Sequence, residues 1–351
     1  MPIKYLGSKR QFLPLIVEVV EQLRPACTVL DLFSGTSRVG DALKRRQYRV
    51  LANDYLACGE TIARCYVEAD GTAEQLRQAR LLIDEFNRLP PSAGYFTEVF
   101  CEKSRYLQPK NGARVDSIRE EIDRKELEPE LRAIMLVSLM EAADRVDSTT
   151  GVQMAYLKQW APRALGDLEL RLPEIAPRAD AGKGRAHRLD AAEAVEVLEA
   201  DIAYLDPPYN QHSYLGNYHV WESLVLWDKP EHYGVACKRV DCRERKSDFN
   251  SKRRFRAAWE RIVDRVRAPH LIVSFNDEGF IGREEMEALL ARRGEVCVIE
   301  SDYRRYVGAR IGVFNPSGEK VGRVSHLRNK EYLYVVSPEA LPEFKVQASG
   351  G

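Results

Sequence analysis

The spacing of apolar residues changes character several times along the first 54 positions. Residues 12–23 (FLPLIVEVVEQL) repeat apolar side chains at helical spacing, and Arg24-Pro25 ends the run because proline cannot continue a helix. Residues 28–33 (TVLDLF) are short and mostly apolar, which predicts a buried strand running into Ser34-Gly35-Thr36. Helical spacing returns at 39–46, and 49–54 (RVLAND) reads as a second strand that ends on an acid. Strand, glycine turn, helix and strand in that order predict the opening of an open, largely parallel sheet.

From about residue 66 to 172 that alternation gives way to charged amphipathic helix, clearest at 130–145 (ELRAIMLVSLMEAADR), where the apolar residues are expected to line one face. Residues 173–184 hold two prolines and two glycines and read as a linker. The strand pattern resumes at 186–190, followed by a helix over 191–198 and strands at 201–205, 271–275, 296–300 and 331–336, for a sheet of about seven strands. The expected organisation is one α/β domain from residues 1–65 and 185–340, interrupted at 66–184 by a mainly helical insert and linker. No fixed-period repeat is present, which excludes a solenoid.

Composition alters this picture in a few places. The start of the chain lacks the apolar core of a signal peptide, and no stretch reaches the roughly 20 apolar residues that span a bilayer, so a cytoplasmic protein with no membrane partner is expected. Seven cysteines, scattered and odd in number, do not suggest a disulfide framework. The 53 basic and 53 acidic residues cancel, yet residues 238–267 concentrate positive charge around Lys252, Arg253 and Arg254, with Phe249, Phe255 and Trp259 interleaved. Such a segment suits a phosphate backbone; the competing reading is a solvated basic helix. His232, Cys237 and Cys242 have four residues between neighbours, without the paired spacing or fourth ligand of a zinc site, and no metal is expected.

Two constellations carry chemistry. The first is the glycine turn after the first strand: in doubly wound sheets ligands sit at the carboxyl ends of strands, and Asp54, at the end of the next strand, is placed to accept hydrogen bonds from a ribose diol. Gly35 is followed by neither a P-loop nor the full dinucleotide pattern, so an ordinary strand-to-helix turn stays open on this motif alone. The second is Asp206-Pro207-Pro208-Tyr209 at the end of a strand. Two prolines fix φ at consecutive positions and remove two donors, leaving the carbonyls of Asp206 and Pro207 free to accept, with an aromatic ring alongside. These parts suit a flat NH2 group held by two hydrogen bonds against a stacking face. A rigid turn capping a strand would explain the prolines but neither the acid nor the aromatic.

With these motifs assembled, the sequence resembles the D12, Dam-like class of N6-adenine DNA methyltransferases. Lys4-Tyr5-Leu6-Gly7-Ser8-Lys9 is similar to the amino-terminal element of that class, residues 31–36 to its cofactor turn, and residues 206–209 to its catalytic tetrapeptide. Their order is that of its α arrangement, with a target-recognition insert before the tetrapeptide. The resemblance implies a Rossmann-like methyltransferase with a mixed, mostly parallel seven-stranded sheet, using S-adenosylmethionine and releasing S-adenosylhomocysteine. It implies that Tyr5, Gly7 and Ser8 lie against the methionine end of the cofactor, with Asp31, Phe33, Ser34, Gly35 and Thr36 around its carboxylate and backbone. Asp54 would take the ribose hydroxyls, Asp190 the adenine amine, and Asp206 would border the same site. Lys9 is expected to touch DNA, as are Lys252, Arg253 and Arg254.

The implied partners are double-stranded DNA and a cognate restriction endonuclease. Ser8 and Ser37 depart from the class by standing where glycines are usual. Residues 211–218 read either as a loop closing over a flipped base or as an ordinary surface loop, and 144–158 as a segment that reads DNA or braces the core. Competing functions are methyl transfer to RNA or to cytosine N4, and a catalytically idle DNA-binding subunit.

Overall fold

In the computed structural model of the chain, the structure describes residues 3–4, 9–23, 25–304, 328–341 and 344. Its centre is a sheet built from β1 (Thr28–Asp31), β2 (Arg49–Asn53), β3 (Arg185–His187), β4 (Ile202–Leu205), β5 (His270–Asn276), β6 (Glu295–Arg304) and β7 (Arg328–Ser337). The spatial order is β3-β2-β1-β4-β5-β7-β6. Strands β1 to β5 pair in parallel, whereas β7 runs antiparallel to both of its neighbours. The mixed, mostly parallel seven-stranded sheet implied by the resemblance is therefore present, with each strand within a few residues of the place its apolar pattern predicts.

Parallel strands covered on both faces need apolar side chains at every position, which is why they read as continuous runs. Val29 packs on one face with α1 (Leu13–Gln22) and α2 (Arg38–Arg45), while its neighbour Leu30 faces the opposite way. That second face is covered by α7 (Ala191–Val197), α9 (Lys252–Arg265) and α10 (Arg283–Leu290). Here one expectation is corrected. Phe249, Phe255 and Trp259, read as aromatics interleaved for nucleic acid, are buried in this core, and the Trp259 Nε1–H donates to Met286 Sδ at 3.1 Å. Four-residue spacing on a helix places 255 and 259 on one face, and burying that face outweighs any contact with phosphate. Lys252, Arg253 and Arg254 remain exposed on the first turn of α9.

A third core is helical. It joins α3 (Ala57–Ala63), α4 (Ala73–Asn87), α5 (Pro109–Arg124), α6 (Pro129–Arg145) and α8 (Tyr214–Leu226), so residues from both sides of the 66–184 segment contribute. In α6 the expected one-sided stripe is replaced by burial all round: each residue from Ala133 to Asp144 is buried. The helix can be surrounded because its polar groups are matched. The Ser138 hydroxyl donates to the Arg171 carbonyl at 2.7 Å, the Tyr66 hydroxyl donates to Glu141, and the Lys4 ammonium donates to the Asp144 carbonyl at 2.8 Å.

Segment 144–158 braces this core. Within α8, Tyr218 leaves helical geometry at φ −131° and ψ 26°, which breaks the regular hydrogen-bond ladder. Gln153 replaces the missing partners: its Oε1 accepts from the N–H groups of Val220 at 3.0 Å and Trp221 at 3.4 Å, and its own N–H donates to the Asn217 carbonyl at 2.7 Å. Its carbonyl accepts from the Tyr106 hydroxyl at 2.7 Å and from His219 Nε2 at 2.9 Å, and burial drives the His219 pKa down to about 3, so the ring is neutral.

The seven cysteines are free thiols, Cys237 and Cys242 being buried in the helical core. Among the described residues no helix is long and apolar enough to cross a membrane, and no group of three His, Cys, Asp or Glu side chains is placed to hold a metal ion. Gln153→Ala is expected to lower stability by about 2 kcal/mol through the orphaned N–H groups of the kink. Urea denaturation measures it, and a loss within error of zero would show that the kink does not depend on this side chain.

Candidate functional site

The strand order reverses between β1 and β4: from β1 the chain steps outward to β2 and β3, then returns to add β4 on the other side. At such a switch point the loops leaving two neighbouring strands diverge and open a crevice beyond their carboxyl ends. A cleft of about 500 Å³ lies there, lined by the loops after β1, β2 and β4, the residues before and at the start of α7 and α8, and one face of α9.

The turn after β1 is left-handed twice, at Gly35 with φ +51° and at Ser37 with φ +55°. Ser37, where a glycine is usual, thus takes the backbone path that glycine would favour, at a strain of roughly 1–2 kcal/mol. The Gly35 N–H donates to Asp54 Oδ2 at 2.8 Å, and Asp54 Oδ1 accepts from the Leu56 N–H at 2.8 Å at the start of α3. Gly59 makes room for this carboxylate, because a Cβ there would lie 2.5 Å from the Asp54 carboxyl carbon. Buried Asn53, one residue earlier, ties three segments together: its Nδ2 donates to the carbonyls of Leu32 and Leu189, each at 3.2 Å, and its Oδ1 accepts from the Leu189 N–H at 3.1 Å. Asp190 caps α7, accepting from the Ala192 N–H at 2.9 Å, and is exposed at the rim.

Asp206 directly follows β4 and lines the same cleft. Its Oδ1 is 3.2 Å from the ammonium of Lys9, which also pairs with Glu331 on β7. The Lys9 side chain, expected to touch DNA, is 7% exposed and lines the cleft. Sequence could not show the pairing, since Lys9 and Glu331 are 322 positions apart. The Tyr209 ring packs edge-on against Phe275 at 5.1 Å, and its hydroxyl accepts from Asn276 Nδ2 at 3.0 Å. The stretch after the tetrapeptide is fastened by Asn250, whose Nδ2 donates to the carbonyls of Asn210 at 2.9 Å and His212 at 3.0 Å.

Three of the aspartates lining the cleft, Asp31, Asp54 and Asp206, stand at or just beyond the ends of β1, β2 and β4. Burial, then the charges of Asp206 and Asp54, push Asp31 up to about 8 against a Gly40 N–H that lowers it. Burial raises Asp54 to about 6, opposed by the Leu56 and Gly35 N–H groups. Burial likewise raises Asp206 to about 6, opposed by Lys9 and assisted by Glu331. Of the residues expected around a cofactor, Asp31, Phe33, Ser34, Gly35, Thr36, Asp54, Asp190 and Asp206 all border this cleft, whereas Tyr5, Gly7 and Ser8 lie outside the described residues. Arg253, Arg254 and Pro208 also line it, whereas Pro207, Tyr209 and Lys252 are not among its lining residues. Asn53, Asn250 and Glu331 were not anticipated: each acts through long-range hydrogen bonds that leave no local pattern.

A mostly parallel sheet with a ligand-type crevice at its switch point, bordered by a glycine turn and by Asp31, Asp54 and Asp206, is a Rossmann-like α/β fold. More narrowly, the chain belongs to the D12 class N6 adenine-specific DNA methyltransferase family, whose model matches residues 5–266. It is 32% identical to the type II methyltransferase M.FokI of Planomicrobium okeanokoites, over 87% of this chain and 50% of that protein. It is 30% identical to the modification methylase StsI of Streptococcus sanguinis, over 88% of this chain and 50% of that protein. With the type II methyltransferase M.NlaIII of Neisseria lactamica it shares 27% identity over 87% of this chain and 89% of that protein. The chain spans about half the length of the FokI and StsI enzymes.

The Asp31 pKa carries a stability consequence. A carboxyl raised in the folded state contributes stability that is present below the unfolded value near pH 4 and is lost as pH rises through about 8. Asp31→Asn is therefore expected to raise the Tm of the ligand-free protein at pH 8, with the gain shrinking toward pH 5. A Tm at pH 8 equal to or below wild type would refute the assignment.

Proposed function

We propose that this chain transfers a methyl group from S-adenosylmethionine to the N6 amine of adenine at a specific site in double-stranded DNA, as the modification enzyme of a restriction-modification system. The observation that carries the reading is the juxtaposition, in one cleft, of the β1 turn and Asp54 with Asp206. Family membership implies S-adenosylmethionine as methyl donor. The residues present fit such a ligand: Asp31 Oδ2 and Ser34 Oγ are buried at the cleft without hydrogen-bond partners among the described residues, a state suited to a polar, cationic guest. Asp31, Ser34, Gly35 and Thr36 would hold its amino-acid end, Asp54 its ribose, and Asp190 its adenine. Tyr5, Gly7 and Ser8 are proposed to complete the methionine end.

When bound, the sulfonium supplies an activated methyl group; the remaining chemistry falls to the protein. The adenine amine is a poor nucleophile because its lone pair is delocalised into the ring. In the proposed mechanism the Asp206 carboxylate and the Pro207 carbonyl accept its two N–H bonds and localise the lone pair for attack. Pro208 keeps the strand end rigid, and Tyr209, anchored by Phe275 and Asn276, offers a face to the flipped base. Arg253 and Arg254 at the cleft, with exposed Lys252 beside them on the first turn of α9, would meet the phosphate backbone, giving salt-sensitive binding. Residues 66–184 are proposed to carry target recognition, and the type II names of the relatives support a cognate endonuclease as partner.

Expression in a methylation-free host, followed by single-molecule sequencing, is expected to show N6-methyladenine at one discrete motif. Asp206→Ala is expected to lower the methylation rate by roughly 100- to 1000-fold while S-adenosylmethionine binding, measured by calorimetry, stays within a few-fold. Wild-type rates in Asp206→Ala, or unmodified adenine throughout the host genome, would refute the proposal.

A further inference from the structure

The family match ends at residue 266, yet the only cation that the described structure pairs with Asp206 is itself held from beyond that point. Lys9 Nζ bonds to Glu331 Oε1, and the same oxygen accepts from the Ser274 hydroxyl at 2.9 Å. The Lys9 and Glu331 side chains are 7% and 9% exposed, and Asp206 is 18% exposed. One ammonium therefore serves two carboxylates in a largely buried position. A buried ion pair made only for stability would match charges one to one, since an unbalanced buried charge is costly.

We propose that Glu331 is a positioning residue for methyl transfer, holding Lys9 against one oxygen of Asp206 and, by its charge, keeping Asp206 a stronger hydrogen-bond acceptor than a simple Lys–Asp pair would leave it. The inference rests on the methyltransferase reading of the cleft. Lysine is a point charge on a flexible four-carbon stem and, unrestrained, would settle wherever it best neutralises Asp206. Glu331, itself oriented by Ser274 across the β5–β7 pairing, draws the ammonium toward the sheet, so that Asp206 keeps an open side toward the cleft.

The charge argument has the same sign. As the nitrogen lone pair forms the N–C bond and the C–S pair passes to sulfur, positive charge grows on the amine until one N–H proton leaves past Asp206 to solvent. A site carrying one net negative charge across Lys9, Asp206 and Glu331 stabilises that developing charge, whereas a neutral pair would not. The other titratable groups facing Asp206 are Asp31 at the end of β1, Tyr204 on β4 and Tyr214 at the start of α8, with Asp54 beyond Tyr214 and Tyr209 beside Lys9. Burial raises the Tyr204 and Tyr214 phenols above their usual range, so both stay neutral across the working range, leaving Asp31 and Asp54 as background common to every variant below.

The test is the pH profile of single-turnover methylation, using tritiated S-adenosylmethionine and DNA from a methylation-free host, for wild type, Glu331→Gln, Glu331→Asp, Ser274→Ala and Lys9→Met. Glu331 raises the Asp206 pKa and Lys9 lowers it, so the two key variants should move the acidic limb in opposite directions. Relative to pH 8, the rate of Glu331→Gln at pH 5.5 should gain about threefold over wild type and that of Lys9→Met should lose about threefold. Glu331→Asp should return the limb toward wild type. A Glu331→Gln profile that superimposes on wild type, or limbs that shift in the same direction, overturns the inference. If Glu331→Gln does not fold by circular dichroism, Ser274→Ala decides: release of Glu331 should lower the maximal rate with little change in the S-adenosylmethionine KM, and an unchanged rate overturns the inference. Wild-type protein inactive on this DNA would count against the proposed function instead, which separates the two failures.

Discussion

The buried ammonium of Lys9 is the interaction on which the cleft depends. The topology brings Asp31, Asp54 and Asp206 to the carboxyl ends of three strands, and the sheet offers no way to separate them, because strand ends at a switch point converge on one crevice. Asp54 is relieved by two backbone N–H groups, from Gly35 and Leu56. Asp206 relies on Lys9. Asp31 has a buried oxygen with no hydrogen-bond partner among the described residues and is the most perturbed of the three, with a pKa of about 8. Carboxylates gathered in this way cost free energy when charged, which is why their pKa values rise.

The rest of the molecule fixes these groups in place. Asn53 locks the β1 turn to the residue before Asp190, so the proposed ribose and adenine contacts cannot drift independently. On the helical side, Glu222 is fully buried and accepts from the N–H groups of Ala57 and Cys58 at 3.1 and 3.0 Å, joining α8 to the helix that begins just after Asp54. Arg119, also buried, donates to the carbonyls of Leu224 and Val225 at 2.7 and 3.1 Å and closes the other end of α8. Because α8 follows the tetrapeptide, the helical core between positions 66 and 184 bears on the geometry of Asp206 without lining the cleft.

Much of the architecture was legible along the chain. Continuous apolar runs and period-3.6 patterns are local, so the seven strands and the helices at 13–22, 38–45 and 191–197 could be read within a few residues. Legibility failed where burial is decided by distant partners. The pattern of α6 looked one-sided because Ser138, Glu141 and Asp144 are polar, yet Arg171, Tyr66 and Lys4 satisfy them and the helix is enclosed. Phe255 and Trp259 looked like nucleic-acid contacts because charge surrounds them in sequence, whereas on the helix the charges point outward and the rings inward.

The sequence by itself determined the sheet and the order of its motifs, since these depend on residue type and on neighbours a few positions away. Only the tertiary structure decided that Lys9 turns inward to Asp206 and Glu331, that Gln153 supports a kink in α8, and that Ser37 adopts a glycine's backbone. Each of those outcomes rests on a hydrogen bond, an ion pair or a turn constraint imposed by segments far apart in the chain, and such pairings cost and gain free energy only once the fold has brought them together.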